Sequence, residues 1–361
     1  MADQSGWEAG SEASKGVRVV SLKDEITRAE RIKELEEALR RTERQLAKAK
    51  TRTEDLVQAV YQGAHDALLV AGTADEVPKP AASRKASKRD AEVALLHLTD
   101  THVGAVTASY DTAVAKARIG KTIQKTISLT ELQRADHPVR DCVIILGGDL
   151  IEQTGQFPHQ AWAVDATTFE QVFTAARIIE DAILSLVANF DSVRVYLTPG
   201  NHGRVGRGKG RQSLDYESDT NWDRIVGRII QERLAGQSRV EFAPLGGWYQ
   251  LVEVGAYRAL AHHGDTIRSF GGNIPAYGIL KKHLAWASGV MPDFRDAYLG
   301  HFHTPMTLAM NNGGRIFVTP SLVSDSAFAK EFVAAASLPA QRLHFVDPRA
   351  GRVTAEYLIW L

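Results

Sequence analysis

Apolar and polar residues follow two rhythms along this chain. From Leu22 to Val60 no Pro or Gly interrupts it, and apolar or small residues recur at heptad spacing. Ile32, Leu39, Leu46, Thr53 and Val60 hold one position, and Leu35, Thr42, Ala49 and Leu56 the other. The spacing predicts a long amphipathic helix within a helical region spanning 22–76. Glu36, Glu43 and Lys50 flank the seam as coiled-coil charges would, while Thr42, Ala49 and Thr53 weaken it. Such a helix serves self-association or a partner helix, or else packs along the rest of its own chain. Residues 1–21 precede it as a tail poor in residues to bury, and disorder is expected there. Between 77 and 90 the run VPKPAASRKASKRD carries five basic residues and little that is apolar, which predicts a flexible linker.

From 91 to the end, short apolar runs alternate with helical patterns. VALLHLT (93–99), CVIILG (142–147) and VRVYLTPG (193–200) read as buried strands ending in polar clusters, with helices expected over 111–133 and 164–188. WYQLVEV, YRALAHH, AYLGHFH, TLAM, RIFVTP, RLHFV and VTAEYLIWL then read as strands with fewer helices among them. NNGG at 311–314 is a hairpin signal, and a short helix is expected over 326–337. The layout is α/β, with a second sheet that is mixed or antiparallel.

Composition narrows this picture. The chain has 361 residues, 44% of them hydrophobic, which is enough for a sizeable core. Its 43 basic and 43 acidic side chains leave no net charge to attract a polyanion or a membrane, so only local patches can do so. A single cysteine, Cys142, sits in an apolar run and has no intrachain partner. That suits a reducing compartment, and the cytoplasm is expected. No basic-then-apolar leader opens the sequence and no apolar run is long enough to span a bilayer, so no membrane partner is expected.

The chemistry sits where the strands end. Asp100-Thr101-His102 follows the first, and residues i and i+2 leaving a strand can converge on one ion. Gly147-Gly148-Asp149 follows the second, placing a carboxylate at the sheet edge where open α/β folds build their sites. Gly200-Asn201-His202-Gly203 follows the third, and an Asn there offers a cation a neutral oxygen. His262, His263, His301 and His303 add imidazoles from later strand ends. Each motif alone is weak, whereas together they form a mixed N/O donor set suited to divalent metals.

The ordered series DTH, GGD, GNH, HHG and GHFH resembles the calcineurin-like metallophosphoesterase superfamily. The resemblance covers roughly residues 92–325 and implies a four-layer α/β/β/α sandwich with two mixed sheets, here preceded by the long helix and spanning 91–361 as the catalytic domain. It also implies two divalent cations, Mn²⁺ first, with Fe, Zn, Ni or Mg also compatible. Asp100, His102 and His303 would hold one and Asn201, His263 and His301 the other, with Asp149 bridging both. His262 is the alternative to His263, which is preferred because it directly precedes Gly264. His202 would be the general acid while a metal-bridging hydroxide attacks phosphorus. Glu152 stands where such motifs often carry a second Asp, as a partner of the ligands.

Some features depart from the pattern. Gly203 takes a place where an acid commonly follows GNH, so any orienting role of that acid must pass elsewhere. LHLTDTHVG is similar to the opening of the DNA-repair exonuclease branch, but little chain follows His303, and the helix-linker-domain order resembles phage and bacterial metallophosphoesterases. Arg204, Arg207, Lys209 and Arg211 follow the GNH turn and could meet phosphates flanking a scissile bond, or form a solvated loop. Phosphodiester hydrolysis, in DNA or another nucleic acid, is therefore the first expectation. The same motifs would serve a phosphatase or small-nucleotide phosphoesterase. A coiled-coil scaffold with a vestigial metal site is a third reading, against which the seven retained ligand types argue.

Overall fold

The computed structural model describes residues 33, 37, 40, 41, 44, 55, 58–66, 72–80, 89–155, 160–205, 221–267, 274–324 and 338–361. The chain divides into two units, Met1–Thr53 and Glu54–Leu361. Lys33, Glu37, Arg40, Arg41 and Arg44 in the first are helical and exposed. All the seam positions from Ile32 to Leu56, and the expected tail, lie outside the described residues.

In the second unit, β1 (Glu92–Leu98), β2 (Val139–Leu146), β3 (Ser192–Leu197) and β4 (Val240–Phe242) run parallel. Helices α1 (Thr112–Arg134), α2 (Thr168–Val187) and α3 (Trp222–Arg233) connect them. Five further strands, β5 (Tyr249–Val254), β6 (Tyr257–His262), β7 (Asp296–Leu299), β8 (Met306–Ala309) and β9 (Arg315–Val318), make a second sheet in the order β5-β6-β7-β9-β8, with helix α4 (Ala276–Ala285) before β7. The chain then returns to the first sheet as β10 (Ala340–Asp347) and β11 (Arg352–Trp360), giving β11-β10-β1-β2-β3-β4. Both sheets are mixed: β10 is antiparallel to β1, and in the second sheet β6, β7 and β9 are parallel while β5 and β8 are antiparallel to their neighbours.

Strand alternation sorts the apolar residues into three packed layers. Ala94, Leu96 and Leu98 of β1, with Ile144 and Leu146 of β2, face α1, α2 and α3. Leu95, Val143 and Ile145 face the other way, meeting Ala259, Ala261, Tyr298 and Phe317 between the sheets. Leu260, Ala297, Leu299, Ile316 and Val318 then form the outer face under α4. These strands are apolar without alternation because both faces are covered, and each fully buried Leu or Ile contributes about 1.5–3 kcal/mol. The result is the four-layer α/β/β/α sandwich with two mixed sheets. Among the described residues no helix is long and apolar enough to cross a membrane.

Two boundaries differ from the sequence expectation, and a third expectation falls where nothing is described. Helix α2 begins at 168 rather than 164, because residues 163–165 are drawn off to pair with the loop after β1 (Val106 N–H to Ala163 O, 2.8 Å; Asp165 N–H to Gly104 O, 3.0 Å). Thr167 then caps it, its backbone N–H donating to Glu170 Oε2 at 2.8 Å in a capping box. The expected helix at 326–337 lies outside the described residues. At the N-terminal side, residues 58–66 are helical, but 72–76 are not.

That N-terminal stretch lies on the body of its unit. Val60 and Ala64 pack into the helix-side core, while Tyr61 and His65 bond to Glu232. Gly72, Ala74, Asp75, Val77 and Pro78 present backbone carbonyls to Arg233, Gln237 and Arg239. Val60, the last heptad position of the seam, is thus spent on the chain's own core.

Candidate dinuclear metal centre

Every strand that feeds the site ends in a turn held from outside the strand. Six non-glycine residues among those described have positive φ: Asp100 (51°), His102 (41°), Asp149 (51°), Gln153 (67°), His301 (66°) and His303 (53°). Five of them are expected ligands. Such backbone costs on the order of 1–3 kcal/mol per residue and persists only where its surroundings over-determine it. The pairs Asp100/His102 and His301/His303 therefore converge through left-handed turns, not through the simple alternation of a strand.

These turns are tied to one another. Asp100 N–H donates to Gly148 O and His102 N–H to Asp149 O, both at 3.0 Å. The Asp100 carboxylate accepts from Thr99 Oγ1 at 2.7 Å and from His301 N–H at 3.0 and 3.1 Å. His202 N–H donates to Asp149 Oδ1 at 2.7 Å. The ends of β1, β2, β3 and β7 thus form one buried knot of backbone and carboxylate.

Side chains in this knot fall into two donor groups. Asp100, His102 and His303 offer ligand atoms that lie within 4.8 Å of one another, as do Asp149, His263 and His301. His102 Nε2 is 3.2 Å from His303 Nε2, which is 3.2 Å from Asp100 Oδ1. In the second group His263 Nε2 is 2.9 Å from Asp149 Oδ2 and 3.1 Å from Asn201 Oδ1. A third group, His102, Asp149 and His202, joins the two.

The tautomers test whether cations fit. His263 Nδ1 lies 2.9 Å from the Gly147 carbonyl and donates there, so Nε2, which faces two oxygen acceptors, is the nitrogen a cation would take in place of a proton. His102 Nδ1 lies 2.7 Å from Glu152 Oε2, which leaves its Nε2 lone pair facing His303. Donor atoms converging on one point, with the rings of His102 and His263 anchored by their other nitrogen, match a divalent cation at each group. His262 does not join them. It turns into the outer layer and pairs with His283 Nε2 at 3.0 Å beside Trp248 and Trp286.

Burial raises the Asp149 carboxyl, but attraction to His263 and His202 outweighs it and holds the group far below the usual carboxylate range. Burial likewise lowers His263, yet Asp149 carries it up to about 10. His301 is pushed down to about 4 by burial and by the His263 charge. Cations and ligand protons compete for the same lone pairs, so metal binding would release these protons.

His202 lies half-buried against His102, with ring centroids 4.6 Å apart. Its Nδ1 is 3.0 Å from the Glu152 carbonyl and 3.3 Å from Glu152 Oε2. Burial works against the imidazolium, and the Glu152 and Asp149 carboxylates outweigh it, so its pKa is raised. One Glu152 carboxylate thus touches both a ligand candidate, His102, and the acid candidate, His202. Gln160 closes this arrangement, its Nε2 donating to Glu152 O at 2.8 Å and Oε1 at 3.1 Å. Replacing Glu152 by Gln is expected to weaken Mn²⁺ binding about 10- to 100-fold while the fold survives. Calorimetric titration with Mn²⁺ would read this, and an unchanged affinity would show that His102 orients without it.

Sequence reasoning missed Gln160, Asn221, Asp223 and Asp265. Asp223, on the first turn of α3, accepts from Asp149 N–H (3.1 Å), Leu150 N–H (2.9 Å) and Gly200 N–H (2.7 Å). Burial and the nearby Asp149 raise its pKa to about 6. Asp265 takes the charge of Arg204: the guanidinium is buried and ion-paired with it, and the Arg204 carbonyl accepts from Gln153 Nε2 at 2.9 Å. Arg204 therefore ties the GNH turn to the loop after His263 rather than extending to solvent. Arg207, Lys209 and Arg211 lie outside the described residues.

No protein-family model matches the chain, and no curated protein matches it. Solved structures similar to it include an archaeal phosphodiesterase at 10% identity, covering 74% of this chain and 99% of that one with a TM-score of 0.33. A predicted phosphoesterase from Streptococcus pneumoniae is 11% identical over 74% of this chain and 98% of its own, with a TM-score of 0.30. Vps29 of Entamoeba histolytica, complexed with Zn²⁺, is 12% identical over 74% and 98%, with a TM-score of 0.31. At these scores the reading of the site rests on its own residues and distances.

Proposed function

We propose that this protein is a two-metal phosphoesterase that hydrolyses phosphodiester bonds, with nucleic acid as its substrate, as its resemblance to the calcineurin-like metallophosphoesterases implies. The observation that carries the reading is the pair of donor groups linked by a third through His102 and Asp149, with His202 in that linking group and its ring against His102. Asp100, His102, Asp149 and His303 would hold one cation, and Asp149, Asn201, His263 and His301 the other. Two divalent cations there would draw electron density from the phosphoryl group and favour its attack by water. His202 then gives its proton to the leaving oxygen, a step that an alkoxide leaving group needs. Glu152 keeps that imidazole charged and oriented, and Gln160 keeps Glu152 in place.

Activity is best tested with Mn²⁺ on a chromogenic diester, a phosphomonoester, and single- and double-stranded DNA. Cleavage of the diester and of DNA, with slow monoester turnover, is expected. Rapid monoester turnover with intact DNA would replace this reading by a phosphatase. One observation favours that second reading: Arg204, one of the four cations expected to meet a polymer, is engaged by Asp265.

A further inference from the structure

The acid missing after the GNH turn has a physical replacement. Gly203 stands where an acid commonly follows, and a Cβ at this position would run into Asn221 Oδ1 and Asp223 Oδ2. Both side chains come from the start of α3, and the two stretches are joined by Trp222 N–H donating to Gly203 O at 2.6 Å. Asn221 Nδ2 donates to Gly200 O at 3.2 Å, while its Oδ1 caps α3 by accepting from Asp223 N–H at 2.9 Å. The space a larger residue at 203 would fill is thus occupied by a carboxylate and an amide reaching back from the next helix.

From this geometry we infer that Asp223 is the positioning residue of the half-site built from Asn201, His263, His301 and Asp149, and that Gly203 is glycine to admit it. The inference rests on the two-metal reading above. Asp223 Oδ2 takes the backbone N–H groups of both Asp149 and Gly200, so one oxygen fixes the GGD turn against the GNH turn. Its Oδ1 takes Leu150 N–H, which closes the carboxylate's accepting sites on that turn. The other half-site shares the backbone of the GGD turn but keeps side-chain supports that Asp223 does not touch: Thr99 Oγ1 holds Asp100, and Glu152 holds His102. Loss of Asp223 should therefore act on one cation more than on the other. A carboxylate is needed because all three partners donate, and an amide nitrogen would face one of those N–H groups.

The test is Mn²⁺ titration of the wild type and of Asp223→Asn, followed by calorimetry and by the spin-coupled dimanganese EPR signal, with thermal melting of the metal-free proteins alongside. One equivalent is expected to weaken about 10- to 100-fold, the other by less than about two-fold, with the coupled signal lost at two equivalents of Mn²⁺. Equal weakening of both equivalents, or of neither, overturns the inference. Should Asp223→Asn fail to fold, Gly203→Ala presses on the same carboxylate from the opposite side and must give the same asymmetry. A wild type that binds no pair of Mn²⁺ ions would instead overturn the two-metal reading itself.

Discussion

Replacing His202 by alanine is expected to leave two metal ions bound and to lower turnover about 10²- to 10⁴-fold. The imidazole belongs to the group that joins the two donor sets, but Asp100, His102 and His303 on one side and Asp149, His263 and His301 on the other converge without it. Its anchor is Glu152, whose carbonyl takes the Nδ1 proton, with Gln160 holding Glu152 in turn. As a proton donor it should matter most for a poor leaving group. Turnover of a diester with an alkoxide leaving group should therefore fall by the full amount, and that of a 4-nitrophenyl diester by much less. Equal losses on both substrates, or loss of one metal, would make His202 a ligand instead of an acid.

Asp149→Asn is expected to have the larger effect: both cations weaken together and turnover falls further than in the His202 variant, beyond about 10⁴-fold. The carboxylate is the only side chain common to the second donor group and the joining group, and it also accepts the His202 N–H. An amide retains the shape and loses the charge that offsets His263 and His202. Mn²⁺ stoichiometry measured on the purified variant reads this directly. A variant that still bound one equivalent at wild-type affinity would show that Asp149 serves a single cation. This outcome separates Asp149 from Asp223, whose replacement should spare one site.

Much of this arrangement was legible in the sequence, and the reason is geometric. Buried parallel strands read as unbroken apolar runs, and a cluster at a strand end must lie at the sheet edge, so Asp100, Asp149 and Asn201 could be placed together before any coordinates. His263 over His262 was open on the residues alone, because adjacent positions on a strand face opposite sides and nothing local says which side is the site. The supporting residues were harder to see. Gln160 acts from a single 3₁₀ turn, Gln160–Trp162, with no periodicity to mark it. Asp265 and Arg204 find each other across 61 residues, so a cation that looked available in the sequence was committed to an ion pair. Helix α3 is different: Trp222, Ile225, Val226, Ile229 and Ile230 repeat at helical spacing, so its signal was present. What the sequence could not give was that its first turn would point Asp223 into the two glycine turns. Strand β4, three residues long, carries almost no pattern at all.

The left-handed ligands have a consequence for how this chain can change. At Asp100, His102, Asp149, His301 and His303 the backbone conformation suits glycine, yet each position carries a bulky donor. The energy held there is independent of any substrate, so the folded state gives up stability for chemistry at five places at once. Drift toward glycine at any of them would relax the fold as it erased the donor. Thermal robustness and chemistry therefore pull in opposite directions at these positions, and this chain carries the donor at all five.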